Sequence, residues 1–291
     1  MTYRTIMLCE LLKLLRLRAE VYHNAKVCGD WLIPESELGQ TCFHLPVEGE
    51  CLLLIPGEKE QLLQTGDMVI FPRETRHTML PTKPQTGQQQ HLPYSLAQDN
   101  AVAMLCGKVT FEHRAHITLL DALPSHLIVS ANDSKSWLPQ LLTLIRRESY
   151  SVQPNPLVLD RLCELIFIYV LQGFSVSTNN GGILKLYSME KIRPALEAIH
   201  RHPERSWTLE TLALKCNMSR TVFAKTFSQS NWTAMRYLTW WRMQQAWSLL
   251  SDGDILLNIA FAVGYRSEAA FSRAFLKEFG LRPGQVRRGK V

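Results

Sequence analysis

The sequence predicts an α+β multidomain chain: a small β-barrel with trailing helices, then an all-α domain carrying two helix-turn-helix motifs. Three observations predict it. Residues 24–113 break into short apolar runs separated by turn signals. From about Lys135 apolar residues recur at helical spacing, and between Leu212 and Phe275 one helical pattern occurs twice. A chain of 291 residues has room for two modest cores, and a hydrophobic share of 46% excludes wholesale disorder.

The N-terminal run Leu8–Leu17 is apolar but carries Glu10, Lys13 and Arg16 and lacks a small-residue cleavage site, so it reads as an amphipathic helix rather than a leader. Strands are expected at 51–55, ended by Pro56-Gly57, at 68–71, ended by Pro72, and at 101–111, where Gly107 suggests a bulge. Residues 81–98, rich in Gln and Pro, read as a mobile loop. Trp137, Leu141, Leu144 and Ile145 share one face of a helix ending near Tyr150. Leu157–Phe174 is a helix apolar around most of its circumference, with the barrel expected on one side and either a second subunit or the rest of the same chain on the other. The small polar residues from Ser175 to Gly182 mark a linker, which divides the chain into 1–174, a linker 175–184 and 185–291.

The repeated pattern runs Leu212-Ala213, Asn217, Ser219, Phe223, Lys225, Phe227, and again Ile259-Ala260, Gly264, Ser267, Phe271, Arg273, Phe275. In each copy a helix with a small residue on its inner face meets a turn residue that tolerates left-handed backbone, then a capping serine and a helix with phenylalanines four apart. Thr208 is the expected N-cap of the first copy, and Gly280 and Pro283 close the second. Met235–Leu250 reads as one stiff helix that fixes the two units relative to each other. Such units lay their second helix in the DNA major groove, and two of them on one DNA face would sit about 34 Å apart. The charge agrees: residues 185–291 hold 17 Lys and Arg against 8 Asp and Glu, whereas residues 1–184 hold 15 against 18. Double-stranded DNA is the expected partner.

Residues 190–288 resemble the DNA-binding domain of AraC/XylS-type bacterial transcription regulators, through Leu212-Ala213, Met218-Ser219, Phe223, Phe227, Tyr237-Leu238, Arg242-Met243, Ile259-Ala260, Val263-Gly264-Tyr265, Phe271-Ser272-Arg273-Ala274-Phe275, Phe279-Gly280 and Pro283. Asn231, Ala234 and Val286 stand where that family usually has Gly, Pro and Tyr. The resemblance implies DNA contacts from Arg220, Thr221, Ala224 and Lys225 on the first recognition helix, and from Glu268, Ala269, Ala270 and Arg273 on the second. Arg273 suits a guanine edge, which a guanidinium bonds bidentately. Lys225 suits phosphate or guanine, and Ala269 and Ala270 suit thymine methyls. Glu268 suits cytosine or the positive end of its own helix.

The stretch from Gly66 to His77 resembles the second motif of cupin barrels, and the N-terminal half resembles the cupin-like sensor found on a subset of these regulators. The first cupin motif carries a His-x-His pair and a Glu as metal ligands. Here Cys42-Phe43-His44 offers one His, which with His77 is too few for a catalytic iron or manganese site. No cofactor, metal or catalytic residue is therefore expected. The resemblance makes Cys28 and Cys106 candidate redox thiols, with His44 and His77 as further effector-site candidates, and it allows an organic ligand in the barrel. The remaining expectations are a cytoplasmic homodimer that meets RNA polymerase and responds to a small molecule or an oxidant. Seven scattered cysteines without CxxC spacing fit a reducing compartment, and no stretch reaches the roughly 18 apolar residues of a membrane span. A cupin metalloenzyme fused to a helical module and a partner-binding scaffold are the rival readings.

Overall fold

A computed structural model describes residues 3–33, 40–73, 75–132, 137–177 and 182–287. The chain forms two compact units. One comprises residues 17–111 and 123–171; the other comprises residues 1–16, 112–122 and 172–291.

The first unit holds β1 (Leu17–Cys28), β2 (Thr41–Glu48), β3 (Cys51–Leu54), β4 (Gln61–Leu63), β5 (Met68–Phe71), β6 (Thr78–Pro81), β7 (Gln90–Leu92), β8 (Val102–Phe111) and β9 (Leu127–Val129). They form a six-stranded sheet ordered β7-β1-β8-β2-β5-β9 and a three-stranded sheet ordered β4-β3-β6. All the pairings are antiparallel. The interior is filled by side chains from both sheets: Val27, Cys42, Val69, Phe71, Met104 and Cys106 from the larger, Cys51, Leu53, Leu63 and Met79 from the smaller, with Trp31 between strands. The expected strands at 51–55, 68–71 and 101–111 are present within a residue at either end. The stretch 81–98 is not all loop, because Gln90–Leu92 pairs with Lys26–Cys28 as an edge strand.

Gly107 has a different role from the bulge expected there. The extra residue lies across the ladder in β1, where Tyr22 intervenes between the pairs Val21–Gly107 and His23–Cys106. Gly107 is needed because Phe43 lies on its Cα. A Cβ at that position would stand 2.3 Å from Phe43 Cζ and 2.8 Å from the Glu20 carbonyl oxygen. Two carboxylates of the long α-helix at 156–177 serve the β1 backbone: Asp160 accepts from Val21 N–H at 2.8 Å and Glu164 from Ala19 N–H at 3.1 Å.

The helices are α1 (Tyr3–Leu15), α2 (Ala115–Asp121), α3 (Leu138–Ser149), α4 (Pro156–Ser177), α5 (Ile183–Ser188), α6 (Arg193–Arg201), α7 (Leu209–Lys215), α8 (Arg220–Ser228), α9 (Ala234–Ser251), α10 (Leu256–Ala262), α11 (Glu268–Phe279) and α12 (Pro283–Val286). Within the first unit α4 buries Leu159, Leu162, Cys163, Ile166, Phe167 and Val170, while Leu157, Val158, Leu165 and Tyr169 stay exposed on its other side. Of the expected linker, residues 175–177 end α4 and residues 183–184 begin α5; residues 178–181 lie outside the described residues, as does Glu74 of the cupin-like stretch.

In the second unit α1 and α2 pack with the C-terminal helices. His200 of α6 pairs with Glu10 of α1 at 2.6 Å, stacks on Trp241 at 3.7 Å and meets the Tyr237 hydroxyl at 2.6 Å. Hydrogen bonding from His200 holds the Glu10 carboxyl below its usual range. His113, just before α2, accepts from Ala115 N–H on Nδ1 at 3.0 Å, so its proton sits on Nε2 and is donated to the Gln244 carbonyl at 3.0 Å. Both ring nitrogens are thereby committed to the neutral form. Burial, opposed by the bond to Gln244 and reinforced by the nearby charges of Arg16 and His116, pulls the pKa down to about 4.

The unfolded chain therefore binds this proton near pH 6.5 and the folded chain does not. Stability is present above that pH and is lost as pH falls toward 4, by roughly 3 kcal/mol for this group alone. Melting curves from pH 7.5 to 4 should show this loss, and His113→Gln should flatten the slope in that window.

Candidate DNA-binding surface

Each helix-turn-helix is built by local signals that agree. Thr208 caps α7, its hydroxyl accepting from Thr211 N–H at 3.2 Å while Thr211 Oγ1 accepts from Thr208 N–H at 2.9 Å. Both first helices then end in the same six-residue lock. In the first copy Met218 N–H donates to the Ala213 carbonyl at 3.0 Å and Asn217 N–H to Leu214 at 3.1 Å. In the second, Tyr265 N–H donates to Ala260 at 2.8 Å and Gly264 N–H to Phe261 at 3.0 Å. The lock requires left-handed backbone at its fifth residue, and Asn217 has φ 53° and Gly264 φ 84°.

The recognition helices start on serine caps: Ser219 accepts from Val222 N–H at 3.3 Å, and Ser267 from Ala270 N–H at 3.2 Å. Phe223 and Phe227 anchor α8 and are fully buried, as are Phe271 and Phe275 of α11. Phe275 lies 6.0 Å from the Trp247 ring and 4.6 Å from Phe279, between α9 and the end of its own helix. Gly280 closes α11 in the left-handed conformation. The family departures are absorbed locally. Asn231 adopts φ 65° where glycine is usual, Ala234 begins α9 behind the Thr233 cap, and Val286 is buried in the second core.

With the phenylalanines turned inward, the opposite faces of α8 and α11 are left to solvent. Arg220, Thr221, Lys225, Glu268, Ala269 and Arg273 are exposed, and Ala224 and Ala270 are half-buried. Arg220 Nε lies 3.0 Å from the Glu210 carboxylate. Both groups are exposed, so the pair is weak and a phosphate can displace it. Arg266, also exposed, stands in the turn just before the Ser267 cap. Sequence reasoning passed over it, although a cation beside the N-terminus of a recognition helix was a readable signal.

In the barrel unit, Cys28 is buried and lines a cleft of about 550 Å³ with Gly29, Gly49, Glu50, Lys83 and Asp99. Cys106 is buried in the packed core, where burial pushes its thiol pKa far up. His44 and His77 meet: their Nε2 atoms are 2.9 Å apart, and burial takes the His44 pKa down to about 3. Cys42, absent from the sequence candidates, joins them. Its sulfur and the two imidazoles place ligand atoms within 4.8 Å of one another. The cluster contains no carboxylate, so it suits the hard iron or manganese of cupin enzymes poorly.

Comparison with known proteins agrees with both halves. Residues 7–174 match the cupin family model and residues 212–289 match a helix-turn-helix domain model. An HTH-type transcriptional regulator of Haemophilus influenzae is 30% identical over 294 residues, covering 96% of this chain and 97% of that protein. The RCS-specific HTH-type transcriptional activator RclR of Escherichia coli K12 is 27% identical over 96% of both chains. A putative AraC-like transcription regulator of Streptomyces lividans is 28% identical over 96% of this chain and 97% of that protein. Among the described residues no helix is long and apolar enough to cross a membrane. The chain belongs to the AraC-type helix-turn-helix transcriptional regulators that carry an N-terminal cupin domain.

Proposed function

We infer that residues 185–291 read an asymmetric DNA site through two recognition helices, and that residues 1–174 receive the signal controlling this reading. The observation that carries it is the pair of identically locked helix-turn-helices whose exposed faces differ. α8 offers Arg220, Thr221, Ala224 and Lys225, without a carboxylate. α11 offers Ala269, Ala270 and Arg273 behind Glu268. Unlike faces read unlike half-sites, in successive major grooves about 34 Å apart. Arg266 adds a phosphate contact at the start of α11.

The exposed apolar row Leu157, Val158, Leu165 and Tyr169 on α4 supports a homodimer. Leu257 and Phe261, exposed on α10 outside the recognition helices, give RNA polymerase a surface to meet. The site of action is the cytoplasm, and the role is regulatory rather than catalytic, like that of the relatives. For the signal, the packed barrel interior points to the cleft beside Cys28 as the place for a polar small molecule. An oxidant would act at Cys28 in preference to Cys106, since a thiol with a raised pKa yields little thiolate. One relative is named as RCS-specific, which supports keeping the oxidant reading beside the small-molecule one.

The test is a gel shift on duplexes selected from a random pool, run over a salt series. Affinity should fall about linearly in log–log form with a slope of several units, and the selected site should exceed random DNA by about 10³-fold or more. Equal affinity for random DNA would remove the reading.

A further inference from the structure

We propose that Cys42, His44 and His77 form a buried site for a thiophilic metal ion, and that monovalent copper is the ion it takes. The β2 strand places Cys42 and His44 two residues apart, hence on one face, while Phe43 between them turns to the other side and packs on Gly107. His77 comes from the turn leading into β6 and is stacked on Phe71 at 3.9 Å. All three residues are at least 97% buried.

His77 is set as a metal ligand needs to be. His77 Nδ1 lies 2.7 Å from the Thr75 carbonyl, which fixes its proton there and leaves Nε2 with a lone pair facing His44. Among the described residues His44 Nδ1 is buried without a hydrogen-bond partner, so pairing with His77 does not satisfy that ring. An ion at about 2.0–2.3 Å from nitrogen and sulfur holds its donors roughly 3.3–3.9 Å apart. The imidazole nitrogens, 2.9 Å apart, would open slightly around an ion, and the three donor atoms all lie within 4.8 Å of one another.

Charge selects the ion. One thiolate and two neutral imidazoles carry a single negative charge, which a monovalent cation cancels and a divalent one leaves in excess. An uncompensated charge this deep is costly. Asp67 is not a donor of this cluster; its carboxylate oxygens are held by Gln64 N–H and Ala131 N–H. Sulfur with imidazole is also the soft donor set that copper(I) prefers. The site is separate from the cleft beside Cys28 and does not depend on which signal that cleft receives.

The test is anaerobic titration of the full chain with copper(I) against a chromogenic chelator, and with zinc(II) in parallel, followed by X-ray absorption. The expected result is one copper(I) per chain with one sulfur and two nitrogens bound. Cys42→Ser and His77→Gln should each weaken binding by more than the roughly 10–100-fold that loss of an outer-shell partner costs, while Cys216→Ser leaves it unchanged. Far-UV circular dichroism checks the fold of each variant, and the absorption spectrum of the wild-type chain needs no variant. Sulfur-only coordination, tighter binding of zinc than of copper(I), or no stoichiometric binding would overturn the proposal.

Discussion

Phe275→Ala is expected to lower stability by about 3–5 kcal/mol, the usual cost of emptying a buried aromatic site. Phe275 is fully buried, parallel to the Trp247 ring and flanked by Phe271 and Phe279. It is therefore what holds α11 against α9. Whole domains retain only about 5–15 kcal/mol, so this single truncation takes a large share. Urea titration followed by Trp fluorescence should show a clearly lower midpoint, and selective DNA binding should weaken because α11 no longer sits where its exposed face can be read. An unchanged midpoint would mean that the ring row does not position the recognition helix.

Gly264→Ala should cost about 2–4 kcal/mol, with the opposite outcome at the equivalent place in the first copy. At φ 84° a side chain meets its own carbonyl, costing about 1–2 kcal/mol. The new methyl would also stand 2.6 Å from an Arg242 guanidinium nitrogen and 2.8 Å from the Glu204 carbonyl oxygen. Arg242 has little freedom to give way, because it donates to the Pro203 and Arg205 carbonyls at 2.7 Å each. Asn217→Gly, by contrast, places glycine at φ 53° and should be neutral or slightly stabilising. Paired melting curves read both. Equal losses at the two positions would show that the turns are not the equivalent locks described.

The DNA-binding half was legible because its signals are local. Caps, turn residues and phenylalanine spacing all fall within a dozen residues of one another, and each repeats. The barrel half was legible in its strands but not in its joins. β1 alternates with polar residues and its bulge sits at Tyr22, where nothing in composition marks it. Gly107 drew attention as a glycine, yet its cause, the Phe43 ring, comes from a strand about 60 residues away in sequence. The same holds for Cys42, which a His-x-His template passes over, and for His77, 33 residues from His44. The packing of α1 and residues 112–122 with the C-terminal helices was invisible for this reason as well: contacts such as Glu10 with His200 leave no periodic trace.

Selective binding requires α11 to read bases through Arg273. The most direct measurement is a single-base substitution scan of the selected duplex, comparing the wild-type chain with Arg273→Ala. The variant should lose discrimination at one base pair in one half of an asymmetric site, by about 1–3 kcal/mol, while its affinity for random DNA is nearly kept. An equal loss on every sequence would make Arg273 a phosphate contact and contradict base reading by the second helix.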